Sequence, residues 1–210
     1  MKNLLLLLSV TFLLIACEKG KPIPEKDNTK TDSAEWKPVD SATATKAWME
    51  YATPGEMHKT LALYDGNWTG ATTSWMENGA QPITSQSECI NKMIFDGRYQ
   101  HSTFKGSFMG MPFEGMSIMG YDNAKKKFVS TWIDNMGTGI MHAEGDWNPS
   151  KKSIELKGKM TDPARPGKDC DFRETYTFID ANNHTMEMYG PDSKTGKEYK
   201  TMEIKFTKKK

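Results

Sequence analysis

The chain has 210 residues, with 28 Lys and Arg against 27 Asp and Glu, a formal net charge of +1. That balance excludes the basic field that draws a protein onto nucleic acid, and the length allows one domain with appendages or two small ones. Aromatic residues make up 10% of the chain, too many for a disordered polymer, so most of it folds.

Lys2 gives a positive start, and Leu4 to Ile15 is an apolar run interrupted only by Ser9 and Thr11. A transmembrane helix needs about 20 apolar residues; this run has instead the length of a signal-peptide core. Leu14-Ile15-Ala16-Cys17 follows directly. A small residue before a cysteine at that place resembles the bacterial lipoprotein signal, in which the cysteine is acylated and becomes the mature N-terminus. The alternative is an ordinary cleaved signal with an incidental cysteine. The resemblance implies a lipoprotein signal peptide over 1–17, cleaved before Cys17, which is kept as the lipidated residue. It also implies a membrane held through the lipid, and a place in the bacterial cell envelope, on the periplasmic face or at the surface of the outer membrane. Loss of the signal leaves 27 positive and 27 negative side chains and only Leu61, Leu63 and Leu156 among the leucines. The core therefore falls to Met, Ile, Phe, Trp and Tyr.

Residues 18–43 are rich in Lys, Glu, Asp, Pro and Thr, the composition of a flexible charged tether. The folded domain then occupies 44–210. Residues 44–52 read as a short helix ended by Pro54-Gly55, and a second helix over roughly 55–64 carries Met57, Leu61 and Tyr64 at helical spacing. From Asn67 the chain reads as strands at 67–77, 83–94, 98–109, 113–121, 126–134, 139–147, 152–160, 170–179, 184–190 and 198–207. Turn residues separate them, among them Asn78-Gly79, Asp96-Gly97, Asp122-Asn123 and Asn148-Pro149. Phe172, Tyr176 and Phe178 alternate with Arg173, Thr175 and Thr177, so one face is dry and the other wet. With no helical interval between them, about ten such strands predict an all-β, antiparallel up-and-down barrel preceded by short helices. Closure removes the edges that would aggregate, and such barrels hold one small ligand.

Gly66-Asn67-Trp68 follows a helix and opens the first strand. Gly-x-Trp there resembles the lipocalin and wider calycin pattern, in which the Trp plugs the closed end of the barrel. A longer set of residues is more specific: Met111 to Gly115, Gly120-Tyr121-Asp122, Trp132-Ile133-Asp134, Gly145, Asp171-Phe172-Arg173 and Glu187-Met188-Tyr189. It resembles domain-of-unknown-function family 1579 over roughly residues 55–207. That family is regarded as lipocalin-like and its activity is unassigned, so the resemblance implies a fold. Lipocalins often set an Arg of the last strand against the tryptophan; here that strand ends Lys205-Phe206-Thr207 with only lysines beyond.

Little local chemistry competes with a binding role. His58, His101, His142 and His184 are widely spaced, and no His-Glu-x-x-His or Cys-x-x-Cys occurs, so the reading carries no metal and no cofactor. Met109, Met111, Met116 and Met119 fall in one hairpin. Thioethers suit Cu(I), but in a leucine-poor chain Met serves as core filler or pocket lining. Cys89 and Cys170 are a possible disulfide outside the cytoplasm, or else two free, buried thiols. No nucleophile is flanked by a recognisable base pattern. The ligand-binding candidates are Trp68 as plug, Trp75, Phe104, Met119, Trp132 and Met141 as lining, and Asp134, Arg173, Glu187 and Tyr189 as a polar end. Strand parity offers the alternative that Arg173 lies outside, in a surface ion pair. The function read from this set is a lipid-anchored envelope protein binding a small apolar or amphipathic molecule. The alternatives are an envelope interaction protein with a filled barrel, and a hydrolase-like or isomerase-like enzyme using barrel carboxylates.

Overall fold

A computed structural model describes residues 36–210; the predicted signal, Cys17 and most of the tether lie outside them. Residues 36–39 carry no helix or strand. Residues 40–210 form one unit. Asp40 starts it as an N-cap: its Oδ1 accepts from Ala42 N–H at 3.1 Å and Thr43 N–H at 3.0 Å, satisfying donors that the first helical turn leaves free. Helix α1 (Ser41–Ala52) therefore begins three residues before the predicted position 44. It buries no side chain and is held at its far end, where the Asn123 side-chain amide donates to Tyr51 O at 3.0 Å and Thr53 O at 2.8 Å. Helix α2 (Glu56–Ala62) follows, burying His58 and Leu61. No described helix is long and apolar enough to cross a membrane.

Ten strands come next: β1 (Gly66–Ser74), β2 (Ile83–Ile94), β3 (Tyr99–Phe108), β4 (Met111–Asp122), β5 (Lys127–Asp134), β6 (Met141–Asn148), β7 (Ser153–Thr161), β8 (Asp169–Asp180), β9 (Asn183–Pro191) and β10 (Glu198–Lys208). Each pairs antiparallel with its sequence neighbours, and β1 pairs with β10, closing the barrel. This is the predicted architecture. Strand β1 ends at Ser74 rather than at 77, and Met109 (φ 52°) with Gly110 (φ 81°) makes the β3–β4 turn. The four methionines of that hairpin do not gather. Met109 is in the turn and exposed, Met111 is half exposed, Met116 takes the outer face and Met119 is buried inside.

The packed core lies in the end of the barrel nearest α2. Trp68, Phe128, Ile154 and Leu156 are fully buried and Leu61 of α2 caps them; each such side chain contributes about 1.5–3 kcal/mol by leaving water. Three side chains from β1, β2 and β3 tie α2 to this end. Trp68 Nε1 donates to Tyr64 O at 3.0 Å, Asn91 Nδ2 to the same carbonyl at 3.0 Å, and Gln100 Nε2 to Leu61 O at 2.8 Å. Lys208, cross-strand partner of Trp68, sets its Nζ 5.3 Å from the centre of the indole, a cation–π contact where a lipocalin often has Arg. Gly66 makes room for it. Its φ is +129°, and a Cβ there would stand 3.0 Å from Lys208 Cε.

The possible Cys89–Cys170 disulfide is not formed: both thiols are free. Cys89 is on β2 and Cys170 on β8, with β1, β10 and β9 between them in the barrel wall. Cys89 instead points inward and its thiol donates to Asn91 Oδ1 at 3.2 Å; burial pushes its pKa up to about 12.

His184 of β9 packs among the closed-end rings, 4.4 Å from Trp68 edge-on and 4.5 Å from Phe206 in a stack, centre to centre. Its Nδ1 is buried without a hydrogen-bond partner. Burial pushes its pKa from 6.5 down to about 4. The neutral ring thus contributes stability that is complete above 6.5 and lost as pH falls through about 4, about 3 kcal/mol in all. Replacement His184→Phe keeps the stack and removes the proton. In urea titrations the unfolding free energy of this variant should gain on wild type by about that amount as pH falls across the window. An unchanged difference would refute the assignment.

Candidate functional site

Barrel parity decides which side chains can meet a ligand. On β5, Phe128, Ser130, Trp132 and Asp134 share the inner phase; on β8, Phe172, Glu174, Tyr176 and Phe178 do; on β9, His184, Met186 and Met188. The half of the interior nearest α2 is filled. The other half encloses a cavity of about 290 Å³, at the low end of small-molecule pockets, which run from about 300 to 1,000 Å³. Its walls are Phe104, Phe108, Phe113, Trp132, Tyr176 and Phe206, with Met136, Met141, Met186, Met188 and Met202 and the hydroxyls of Thr72, Ser85, Ser87 and Ser107. Ser87 Oγ is buried without a protein partner.

Trp132 forms one side of this cavity, its ring 5.1 Å from Phe104 edge-on and 6.2 Å from Phe113 in a stack. It lies across Gly115, where a Cβ would meet Trp132 Cζ2 at 2.5 Å. Its Nε1 donates to Asp134 Oδ2 at 2.6 Å. The other oxygen of Asp134 accepts from Met136 N–H at 2.8 Å and Gly137 N–H at 3.1 Å, an Asx turn. Next to it Asn135 clips the turn to β4, receiving Glu114 N–H on Oδ1 and donating Nδ2–H to Pro112 O, both at 3.0 Å. The turn after β5 therefore fixes Asp134 and Met136 beside the cavity.

The second carboxylate is Glu174, absent from the sequence-derived set. Leu156 of β7 and Met188 of β9 stand in register on either side of it. Its one hydrogen-bond partner among the described side chains is Tyr176, whose hydroxyl donates to Oε2 at 3.4 Å. Without a cation beside it, burial raises the Glu174 pKa from 4.5 to about 7. Its residual accessible surface faces the cavity, so the carboxyl is both reachable and poorly solvated. Burial and the neighbouring carboxylate likewise hold the Tyr176 phenol protonated.

Of the sequence-derived candidates, Phe104, Trp132, Asp134 and Met141 line the cavity. Trp68 is its floor-side plug, fully buried, and Met119 is packed in the core rather than exposed to the cavity. The other four are outside it. Trp75 follows the last residue of β1 and sits in an outer recess with Tyr199 and Lys200. Arg173 occupies the outer phase of β8, stacks 3.8 Å over the Tyr189 ring and pairs with Glu198 at 2.9 Å. Glu187 is bound by Lys200 at 2.9 Å and receives the Tyr189 hydroxyl at 3.1 Å. The supposed polar end is thus a cross-strand surface network, whose exposed pairs contribute about 0–1 kcal/mol each. The physical reason is the pleat, because residues 173, 187 and 189 all have the parity opposite to the core.

The histidines are likewise elsewhere. His58 is in α2, its Nδ1 receiving Gly55 N–H at 3.0 Å; His101 and His142 have outer parity and His184 is in the closed end. Among the described residues no group of three or more His, Cys, Asp or Glu is placed to hold a metal. An outer trough of about 480 Å³ crosses β3 to β7, lined by Tyr99, Ile118, Val129, Thr131 and His142 together with Glu144 and Lys157.

A family model described as "Protein of unknown function (DUF1579)" matches residues 53–208. Among solved structures, that of Rv2717c from M. tuberculosis is similar at a TM-score of 0.54 and 11% identity, covering 75% of this chain and 100% of that one. At that identity the likeness concerns the fold. No curated protein matches.

Two substitutions probe the site. Gly115→Ala forces the indole of Trp132 from its place and should cost about 1–3 kcal/mol, with a shift in tryptophan emission; an unshifted spectrum would contradict the contact. Glu174→Gln keeps shape and removes ionisation. A raised carboxyl contributes stability present below 4.5 and lost as pH rises through about 7, close to 3 kcal/mol in all. The variant should therefore gain on wild type as pH rises through that window and keep the advantage above it. A pH-independent difference would show that Glu174 titrates normally.

Proposed function

The chain belongs to the DUF1579 family, and from the cavity of its barrel we propose that it binds a small apolar or amphipathic molecule. The observation that carries this reading is the cavity itself, walled by aromatic rings and thioethers with a few fixed polar atoms. Pockets for small molecules combine an apolar wall with a small number of oriented polar groups. Thioether side chains adapt to differently shaped guests, and five of them surround this space. Asp134 and Glu174 supply orientation. The reading includes a lipid anchor at Cys17 and a place in the cell envelope. It is supported by Lys2, the apolar run Leu4 to Ile15 and the Ala16-Cys17 junction. Acyl chains contribute about 0.8 kcal/mol per buried CH₂, enough for several together to hold a barrel at a membrane.

The test is titration of the purified protein with N-phenylnaphthylamine, a neutral probe that fluoresces in apolar surroundings. The expected result is saturable binding of one probe, with energy transfer from Trp132. Met188→Trp fills the cavity from β9 and should weaken binding roughly tenfold or more, a loss of about 1.4 kcal/mol or greater. Absence of binding in the wild type would overturn the proposal. Equal binding by the filled variant would place the probe outside the cavity and overturn it as well.

A further inference from the structure

The chemistry of the cavity wall goes further than its size and selects a class of guest. Both ionisable carboxyls that line it, Asp134 and Glu174, are acidic, and no Lys, Arg or His is among its lining residues. The two differ in what they already hold. Asp134 is satisfied by the Trp132 indole and two backbone amides. Glu174 has one long hydrogen bond from Tyr176 and no salt bridge among the described residues. A carboxylate in this setting lacks a counter-charge, and the rings around it present negative faces that attract cations. An anionic head group would meet two carboxyls and those same faces, with nothing to neutralise it.

Building on the binding role proposed above, we infer that the guest is an organic monocation, an apolar body bearing one ammonium-type charge that pairs with Glu174. The body lies along Phe104, Trp132, Phe206 and the thioethers of Met186 and Met188. The charge sits at β8, where Glu174 stands between Leu156 and Met188, neither of which titrates. From other elements, Asp134 of β5 lines the same cavity, and Cys89 of β2 is close enough to the neighbouring Tyr176 to act on it. The thiol is neutral because burial raises its pKa to about 12, and Tyr176 on the same strand is held protonated. Glu174 is therefore the group whose charge changes near neutrality, its pKa standing at about 7. Cation binding strengthens as it ionises.

The experiment is competition for N-phenylnaphthylamine by three compounds of one chain length: nonyltrimethylammonium, nonanol and nonanoate. Above pH 7, where Glu174 is charged, the cation should displace the probe at a roughly tenfold lower concentration than nonanol, with nonanoate weakest. Its affinity should rise as pH crosses 7, while that of nonanol does not. Glu174→Gln should remove the tenfold or so preference and the pH dependence together. Nonanoate binding as well as the cation, or a preference that survives Glu174→Gln, would overturn the inference while leaving apolar binding intact. Failure of the probe and of all three compounds to bind would overturn both.

Discussion

The closed end of this barrel rests on a small set of backbone carbonyls that need donors. A helix leaves its last carbonyls without partners inside the helix, and α2 points that end into the barrel. Leu61 O accepts the Tyr64 N–H and takes a second donor from Gln100, while Tyr64 O, in the turn that follows, is answered by Asn91 and the Trp68 indole. A Tyr64 carbonyl left buried without its donors would cost about 1–3 kcal/mol, and the three side chains together fix where the helix sits. Asp65 extends the same seam, its carboxylate receiving Met93 N–H at 2.8 Å and Gln100 Nε2–H at 3.2 Å. Once the helix is seated, Leu61, Tyr64, Trp68 and His184 pack as one cluster, and that end of the barrel has no space left for a guest.

The cavity is the counterpart of that seal. A ten-stranded barrel has more interior than one helix and one aromatic cluster can fill. Toward the far end the inner positions are occupied by small hydroxyls on β1 and β2 (Thr72, Ser85, Ser87) facing larger rings on β3 to β5. That asymmetry leaves room on one side, and Gly115 lets Trp132 lie flat against the wall instead of closing the gap. Sealing at one end and under-filling at the other are consequences of the same inner phase, read along the strands in opposite directions.

Much of this was legible in the sequence, and what was missed follows from particular residues. The ten strands, their up-and-down order and Trp68 as an end-plug residue rest on local pattern: alternation, turn pairs and Gly-x-Trp. Glu174 was also legible. It lies between Phe172 and Tyr176 in the core phase, and strict parity would have selected it over Arg173. Of the polar set only Asp134 lines the cavity; Arg173, Glu187 and Tyr189 have the outer phase, the alternative that strand parity offers for Arg173. Trp75 was misplaced for a smaller reason, since β1 ends at Ser74 and the residue beyond it turns outward. Asn91 and Gln100 gave no local signal. Their partners Tyr64 and Leu61 lie 27 and 39 residues away, and a polar side chain at an inner strand position says nothing about which carbonyl awaits it. Lys208 stands over Trp68, where lipocalins often have Arg, one residue beyond Thr207.

Two perturbed groups of the interior, His184 and Glu174, have opposite signs and overlapping ranges. His184, buried in the sealed end, loses stabilisation as pH falls from 6.5 toward 4. Glu174, buried in the hollow end, loses it as pH rises from 4.5 toward 7. Between 4.5 and 6.5 the unfolded chain binds the His184 proton that the folded one refuses, and releases the Glu174 proton that the folded one keeps. The two slopes are each at most about 1.4 kcal/mol per pH unit and largely cancel each other. A cation beside Glu174 would end the balance on one side only. It would stabilise the ionised carboxyl, lower its pKa and leave His184 untouched, so a loaded barrel would tolerate alkaline conditions better than an empty one while remaining as sensitive to acid.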